Sequence, residues 1–511
     1  MNSKVSFLIF FFLFGLLLNS NLKAQNIEDI KRLIYENNTG TARFTSMGGA
    51  FGALGADISA INNNPASSAV YNFSNIGFSL DYSNTSNLFN YNGNNTENQF
   101  STFNVNQFGL TAIFKDDQNE DWSHIGFAFN YKSNTNYRDK IYINSNNNFN
   151  SIENYFLYYA QGLKTSNLIL QNNETTKDLY QYLGQTNNLG FGAQQAFLGY
   201  QGYILNPIEA SSDNASYVSN AKYSNGIENQ FYNFHNGINK TATINFSARY
   251  KEKIYIGLNI NFHEIEYDQT KDYYESGFDF SSNIQKINFQ NKLVVIGKGN
   301  SIQLGLITKL NNSIRVGISY HSPTWYEFFD ETSEYLISNH FLNDIEYKDI
   351  IDPDTINVFP KYNITIPSKI GISTAFVGTK GLISFEYITS NISSVILKDD
   401  SPNSFIKINN EIRQTFKKKN TLKIGAEYRI LPLSLRIGFY NSGSPSKYFN
   451  YNNIKSLSYG FGIDLGNSML DISIQNSKLK DSRKLYDKGL NESFDINRKL
   501  LNIIASYTFK L

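Results

Sequence analysis

Thr421-Leu422-Lys423-Ile424-Gly425-Ala426-Glu427-Tyr428-Arg429-Ile430-Leu431-Pro432-Leu433-Ser434-Leu435-Arg436-Ile437-Gly438-Phe439-Tyr440 holds two strands and the turn between them. Leu422, Ile424, Ala426, Tyr428 and Ile430 alternate with Lys423, Gly425, Glu427 and Arg429. After Leu431-Pro432, Leu433, Leu435, Ile437 and Phe439 alternate with Ser434, Arg436, Gly438 and Tyr440. A period of two belongs to a strand, whose successive side chains leave on opposite faces. One phase is apolar and nearly free of charge, while the other is small, polar or charged.

The same alternation recurs at 254–263, 459–465 and 501–511. Read end to end, it predicts strands near 74–82, 105–114, 124–132, 241–250, 254–263, 301–310, 313–320, 366–377, 381–388, 421–430, 433–441, 457–465, 469–476 and 501–511. Short turns at 115–123, 251–253, 311–312, 379–380, 431–432 and 466–468 alternate with long polar connections, the longest being 133–240 and another 321–365. Asn154 to Leu163 and Gln194 to Leu205 within the longest read as locally helical. Fourteen strands with long connections at one end describe an all-β, antiparallel up-and-down barrel. Its lumen is too wide for wall side chains to fill, so the apolar phase must face lipid and the charged phase the lumen. The chain is therefore expected to be a transmembrane β-barrel over residues 74–511. Lysine at Ile256 or Ile437 should be costly, and far milder at the polar-phase positions Gly257 and Arg436.

Composition agrees. Of 511 residues 15% are aromatic and 34 are glycine, which favours strands and turns. The absence of Cys excludes a disulfide scaffold, thiolate metal sites and a lipoprotein anchor. Lys4, the apolar run Val5 to Leu18 and the polar stretch ending at Ala24 read as a signal peptide over 1–24. Its removal leaves 43 basic against 44 acidic residues, so no basic field exists to recruit nucleic acid. The expected location is the outer membrane of a Gram-negative cell, with both barrel termini in the periplasm.

Residues 25–73 do not alternate. They carry Gly48, Gly49, Gly52, Gly55 and Asp57, then Asn64, Pro65 and Ala66. Small and apolar content suggests a compact hatch, or plug, inside the lumen; the alternative is a flexible leader. A phosphate loop is excluded, because no Gly-Lys-Ser/Thr follows and no strand precedes.

Ser46 to Asp57, followed by Asn64-Pro65-Ala66, resembles the hatch of the FadL/TodX-type outer-membrane transporters of long-chain fatty acids and other hydrophobic compounds, in the subgroup found in Bacteroidetes. Tyr320 to Tyr326, Leu431 to Arg436 and Gly466 to Asp471 are similar to the same subgroup. The resemblance implies a fourteen-stranded barrel with an N-terminal plug and passive uptake of hydrophobic molecules. It further implies capture in extracellular loops, passage past the hatch and release through a wall gap at a kinked third strand. That strand is expected at Ile125 to Lys132, with Gly126 either the weak point or a plain strand glycine.

Phe156, Tyr159, Phe197, Tyr200, Trp325, Tyr326 and Phe328 are candidates for the capture groove, the alternative being an aromatic girdle. Arg315, Glu386, Lys423, Glu427, Arg429, Arg436, Asp464 and Asp471 are the candidate lumen charges. No cofactor, metal or catalytic residue is expected: the five histidines are scattered, and no Gly-x-Ser-x-Gly elbow is present. The expected partners are outer-membrane lipid and a hydrophobic small molecule, and the expected state is monomeric. Two other classes stay open, a barrel component of a protein-secretion system and a haem or other surface receptor.

Overall fold

The structure is a computed structural model that describes residues 27–115, 121–401, 404–448 and 453–511. The expected signal peptide lies outside the described residues. Fourteen antiparallel barrel positions close on themselves. In chain order they are β1 (Asn75–Tyr91), β2 (Asn94–Lys115), β3 (Trp122–Asn136, resuming as Asp139–Asn148), β4 (Ile227–Tyr250), β5 (Ile254–Ser276) and β6 (Ile284–Lys309). There follow β7 (Ile314–His321, resuming as Thr324–Leu342), β8 (Tyr362–Ile366 and Lys369–Val377), β9 (Gly381–Asn391), β10 (Lys418–Ile430) and β11 (Leu433–Ser442). The last three are β12 (Asn453–Asp464), β13 (Ser468–Lys484) and β14 (Ser493–Lys510). Each pairs with its neighbours in sequence order, and β1 pairs with β14 from Asn75↔Lys510 to Asn90↔Asp495, so the sheet closes on itself. Full pairing is what a wall in hydrocarbon requires, since no water is there to satisfy a backbone group.

The alternation places the faces as expected. Ile256, Ile260, Leu304, Ile372, Phe385, Leu435, Ile437 and Phe461 point outward and are exposed, whereas Asn259, Gln303, Ser373, Glu386 and Arg436 point inward and are buried. The outward set forms an apolar band around the barrel. No helix among the described residues is long and apolar enough to cross a membrane.

The strands run well past the segments expected from alternation. β6 has 26 residues and β4 has 24, so most of 264–300 and the ends of 133–240 are strand, not loop. The reason is visible on β2. Outward side chains there change from Phe108, Val105 and Phe103 to Ser101, Gln99 and Glu97, so both faces become polar and the two-residue signal disappears while the hydrogen-bonded ladder continues.

The N-terminal segment contributes α1 (Ile27–Ile34), α2 (Ala42–Ser46) and a 3-10 turn at Pro65–Val70. The long connection contains three helices: α3 (Glu153–Ala160), α4 (Thr176–Gln185) and α5 (Gly190–Gln201). These helices pack on the outer ends of the strands. Phe156, Phe197, Leu198 and Tyr180 are buried there among Phe89, Phe231, Tyr273, Phe289 and Phe494.

Lysine at Ile437, in the outward band, is expected to lower barrel stability by about 2–4 kcal/mol. Lysine at Gln99, outward but beyond the band, should change it by under about 0.5 kcal/mol. Urea titration of folding into lipid vesicles measures both.

Candidate functional site

Residues 40–70 sit inside the barrel, held by backbone geometry and by charge. Thr41 caps α2: its hydroxyl accepts from Phe44 N (3.1 Å) and donates to Asp57 (2.7 Å), and Asp57 in turn accepts from Ser59 N (2.8 Å). Asn64 caps the 3-10 turn that begins at Pro65, accepting from Ala66 N (3.1 Å), while its amide donates to Gly52 O (2.7 Å). Gly48, Gly49 and Gly55 all have positive φ, which side chains other than glycine adopt at a cost. The wall meets this segment with small residues of its own. A Cβ at Gly438 would collide with the Gly48 backbone, one at Gly257 with Pro65, and one at Gly317 with Gly52 O. Gly257 is thus a seat for the hatch, and the expectation that it tolerates lysine is corrected.

Charge completes the seating. Glu427 accepts from three guanidinium groups: Arg43 of α2 (3.0 Å), Arg436 (2.7 Å) and Arg429 (2.7 Å). Arg436 also donates to Asp471 (2.5 Å). It is 5% exposed and so, like Gly257, is not a mild position for substitution. Glu386 accepts from Phe51 N and Gly52 N (both 3.2 Å) and lies 3.7 Å from Lys423 Nζ. Arg315 donates to Leu54 O (3.0 Å), and Arg249 donates to Ala69 O (2.8 Å) and Tyr71 O (2.9 Å). Six of the eight candidate lumen charges therefore bind the hatch or a neighbour that does. Asp471 is one partner further out, on Arg436. Asp464 is at the turn, accepting from Gly466 N (2.9 Å) and facing Lys510 at 3.4 Å. Sequence reasoning overlooked Arg43, which lies four residues before Met47 and outside any alternating pattern.

The wall is irregular at one level. The β2–β3 ladder runs from Lys115↔His124 to Gln107↔Lys132 and stops there. At that height β2 bulges at Asn106 against β1, β3 slips register between Ser133 and Thr135, and β3 breaks between Asn136 and Asp139. β4 answers with Gly237 at φ 123°, where a Cβ would strike the Glu266 backbone. Bulges of this kind bend a strand and end pairing locally. Beyond the break, side chains span what backbone does not: Asn136 Nδ2 donates to Asn104 Oδ1 (2.9 Å), Thr96 Oγ1 to Tyr142 O (2.6 Å) and Asn94 Nδ2 to Ser145 Oγ (3.1 Å). Gly126, the expected weak point, lies in regular pairing with Ile113 and Ser247. Its missing Cβ makes room for the Ser247 hydroxyl instead.

Two cavities meet this break. The larger, about 160 Å3, lies between α1, the β3 break, β4, β5 and β13, and is lined by Arg32, Tyr137, Asp139, Tyr267, Lys271 and Arg483 among others. The smaller, about 80 Å3, lies behind the unpaired edge of β2, against Asp81, Thr102, Asn104, Asn106, Thr135 and Asn502. Tyr35, Thr135, Asn136, Arg138 and Arg498 line both, so the two are neighbours across one shared wall. Most cations of the larger cavity have partners: Arg32 pairs with Asp29 (2.7 Å) and stacks on Tyr267, Arg483 pairs with Asp481 (2.9 Å), and Arg498 pairs with Asp139.

Beside the cavity, α1 covers an apolar strip. Ile30 and Ile34 pack against Ile265, Val295, Tyr326, Phe328, Tyr362 and Ile364 of β5 to β8. The capture candidates thus fall in three places. Tyr326 and Phe328 are inside, under α1. Phe156 and Phe197 are fully buried and hold the helical cap together, with Tyr159 and Tyr200 packed on its flank, so these four do not form an open groove. Trp325 is 52% exposed on the outward face, where an aromatic girdle would sit. The phase of the strand decides the last point, because Trp325 alternates with Tyr326.

No family model matches the chain, and no curated protein matches it in sequence. Solved structures do. A FadL homologue of Pseudomonas aeruginosa is similar over 93% of this chain and 99% of its own, with a TM-score of 0.54 at 10% identity. The toluene transporter TodX of Pseudomonas putida aligns over 94% of this chain and 100% of its own (TM-score 0.49, 12% identity). The toluene transporter TbuX of Ralstonia pickettii aligns over 93% and 99% (TM-score 0.49, 11% identity). The chain has the fold of the FadL homologue: a fourteen-stranded antiparallel barrel with its N-terminal segment inside.

Glu427→Gln leaves Arg43 and Arg436 facing a neutral amide, and breaking a buried ion pair in this way costs about 3–5 kcal/mol. The loss should fall on hatch seating. Heat-modifiable gel migration is expected to persist, while conductance in planar bilayers rises and added protease reaches residues 40–70.

A second outcome concerns pH. Glu153 opens α3 and accepts from Tyr223 OH, its other oxygen being buried without a partner. Desolvation raises its pKa to about 7. A raised carboxyl pKa means that the folded cap holds the proton more tightly than the unfolded chain does. Cap stability is then highest below the ordinary value near 4.5 and declines as pH rises through 7. Limited proteolysis of 149–226 should be slower at pH 5.5 than at pH 8, and Glu153→Gln should reduce the difference, with buried Glu275, which accepts from Ser151 Oγ and Ile152 N at the start of α3, carrying the rest.

Proposed function

We propose that this protein is a monomeric outer-membrane transporter that moves long-chain fatty acids or other hydrophobic molecules by facilitated diffusion, with both barrel termini in the periplasm. The observation that carries the reading is the wall break between β2 and β3, backed by cavities that reach the N-terminal helix. Hydrophobic ligand arriving past the loop helices displaces α1 from the strip made by Ile265, Val295, Tyr326, Phe328, Tyr362 and Ile364. Burying an apolar tail on such a strip is worth roughly 25 cal/mol per Å2, which offsets the lost contacts of Ile30 and Ile34. From there the ligand passes through the cavity and leaves sideways at the break. Downward passage is opposed by the hatch, whose residues 58–61 and 64–69 are almost entirely buried against the wall. The fold shared with the FadL homologue supports the same reading.

The chain has no Cys, so introduced ones are unique. Cysteines at Asn104 and Asn136, joined by a short reducible bismaleimide, should bring uptake of labelled oleate by intact cells down to the level of the deletion strain. Reductant should restore it. Undiminished uptake in the cross-linked protein would remove the lateral route.

A further inference from the structure

The walls at the break have a chemistry that a hydrocarbon cannot use. The smaller cavity is faced by amides and hydroxyls from four strands and the leader, among them Ser83, Thr102, Asn104, Asn106, Ser133 and Asn134. Each has both donors and acceptors to offer, and covering such groups with an apolar ligand forfeits their hydration with nothing in return. Charge is partly muted. Arg498 is paired with Asp139, and Asp81 accepts from Asn502 Nδ2 (3.3 Å), while Arg138 stands between this cavity and the larger one. Two polar atoms on this path have no hydrogen-bond partner in the protein: Thr135 Oγ1 and Asn502 Oδ1, each on a residue 3% exposed. Buried polar atoms are normally paired, so these two are places where a ligand's polar groups gain most.

The height of the break adds a second constraint. Outward side chains of β2 pass from Val105 and Phe103 to Ser101, Gln99 and Glu97 a few residues beyond the point where pairing with β3 ends. On β3, Ile125 and Phe127 face outward below that level, while Lys140 faces outward above it. The opening therefore lies at the upper margin of the apolar band, the level at which the head of an amphiphile rests when its tail is in lipid.

The geometry points to an amphiphile with an uncharged, hydroxyl- or amide-rich head as the cargo of this route, the head travelling along the Asn- and Thr-lined wall while the tail leaves through the break into the bilayer. This rests on the lateral route proposed above and narrows its cargo from hydrophobic molecules at large to the glycolipid-like class. An anionic head meets Asp81 and, Arg138 apart, finds the smaller cavity's other cation, Arg498, engaged by Asp139; a bare hydrocarbon covers amides and hydroxyls with nothing in return.

Equilibrium binding of tritiated decyl maltoside, decanoate and decylbenzene to the full protein in nanodiscs tests the head directly. Decyl maltoside, used below its micellar concentration, should bind tightest. The variant Thr135→Val deletes a hydroxyl that makes no hydrogen bond within the protein, so the fold should be indifferent to it. It is expected to weaken decyl maltoside binding about fivefold, the worth of about 1 kcal/mol for one lost hydrogen bond, and to leave decylbenzene unchanged. Tighter binding of decanoate or decylbenzene by the wild type overturns the inference, as does equal weakening of all three ligands by the variant. Binding needs no transport, so this result is independent of the oleate cross-linking experiment: failure there removes the route, and failure here removes only the head.

Discussion

A backbone group that faces hydrocarbon has no water to bond with, and this one constraint orders the whole molecule. It favours pairing on both sides of every strand across the apolar band, and it forces β14 back onto β1. It also dictates where pairing can lapse. The β2–β3 ladder ends at Gln107↔Lys132, and within a few residues the outward face of β2 has turned polar. Above that level the loose edges of β2 and β3 are bridged by Asn136, Thr96 and Asn94, side chains that would be costly lower in the band. The Asn106 bulge, the slip at Asn134 and the unusual φ of Gly237 are three expressions of one event, the parting of two strands at the first height where parting is cheap.

Closing fourteen strands creates a second problem, a lumen that wall side chains do not fill. The solution is shared between two surfaces. The wall gives up side chains at Gly257, Gly317 and Gly438, and the hatch comes in along its own backbone at Pro65, Gly52 and Gly48. Contacts between backbones leave peptide groups to satisfy, and the inward charges do this: Glu386 takes the Phe51 and Gly52 amides, while Arg315 and Arg249 serve the carbonyls of Leu54, Ala69 and Tyr71. Charge in a lumen is often the mark of an ion path. In this chain the charges are spent on holding a filler in place.

How much of this was legible in the sequence follows from which signals survive in one dimension. All fourteen strand positions were readable, because each crosses the band with one apolar phase, as Leu422 to Ile430 and Leu433 to Phe439 do. Strand lengths were not readable, since two polar faces erase the alternation without ending the ladder. The charged phase was readable as inward, yet its partners were not: nothing local to Glu427 announces Arg43, which is 384 positions away. Of the two readings open for Gly126, regular pairing with Ile113 and Ser247 fits the plain strand glycine, whereas the break at Tyr137–Arg138 is written in Asn and Thr, which look like loop. For the aromatics, strand phase separates Trp325 from Tyr326, but no pattern distinguishes Phe156 in a packed cap from Phe156 in a groove.

The lumen thus has three tiers with different chemistry. The lowest is packed solid by residues 40–70. The middle holds an apolar strip on one side, closed over by Ile30 and Ile34, and a charged cavity on the other. The highest is capped by the helices that bury Phe156 and Phe197. Traffic along the barrel axis would have to unmake either the hatch, with its buried Glu427–arginine cluster, or the aromatic cap. Traffic through the side asks for less: a shift of the eight-residue α1 and the exchange of a few side-chain hydrogen bonds at the β2–β3 break. Each of those bonds is worth about 1 kcal/mol net, against several for a buried ion pair. For the lateral route proposed above, this difference in cost, more than the presence of a gap, is the argument for the side of the barrel over its axis.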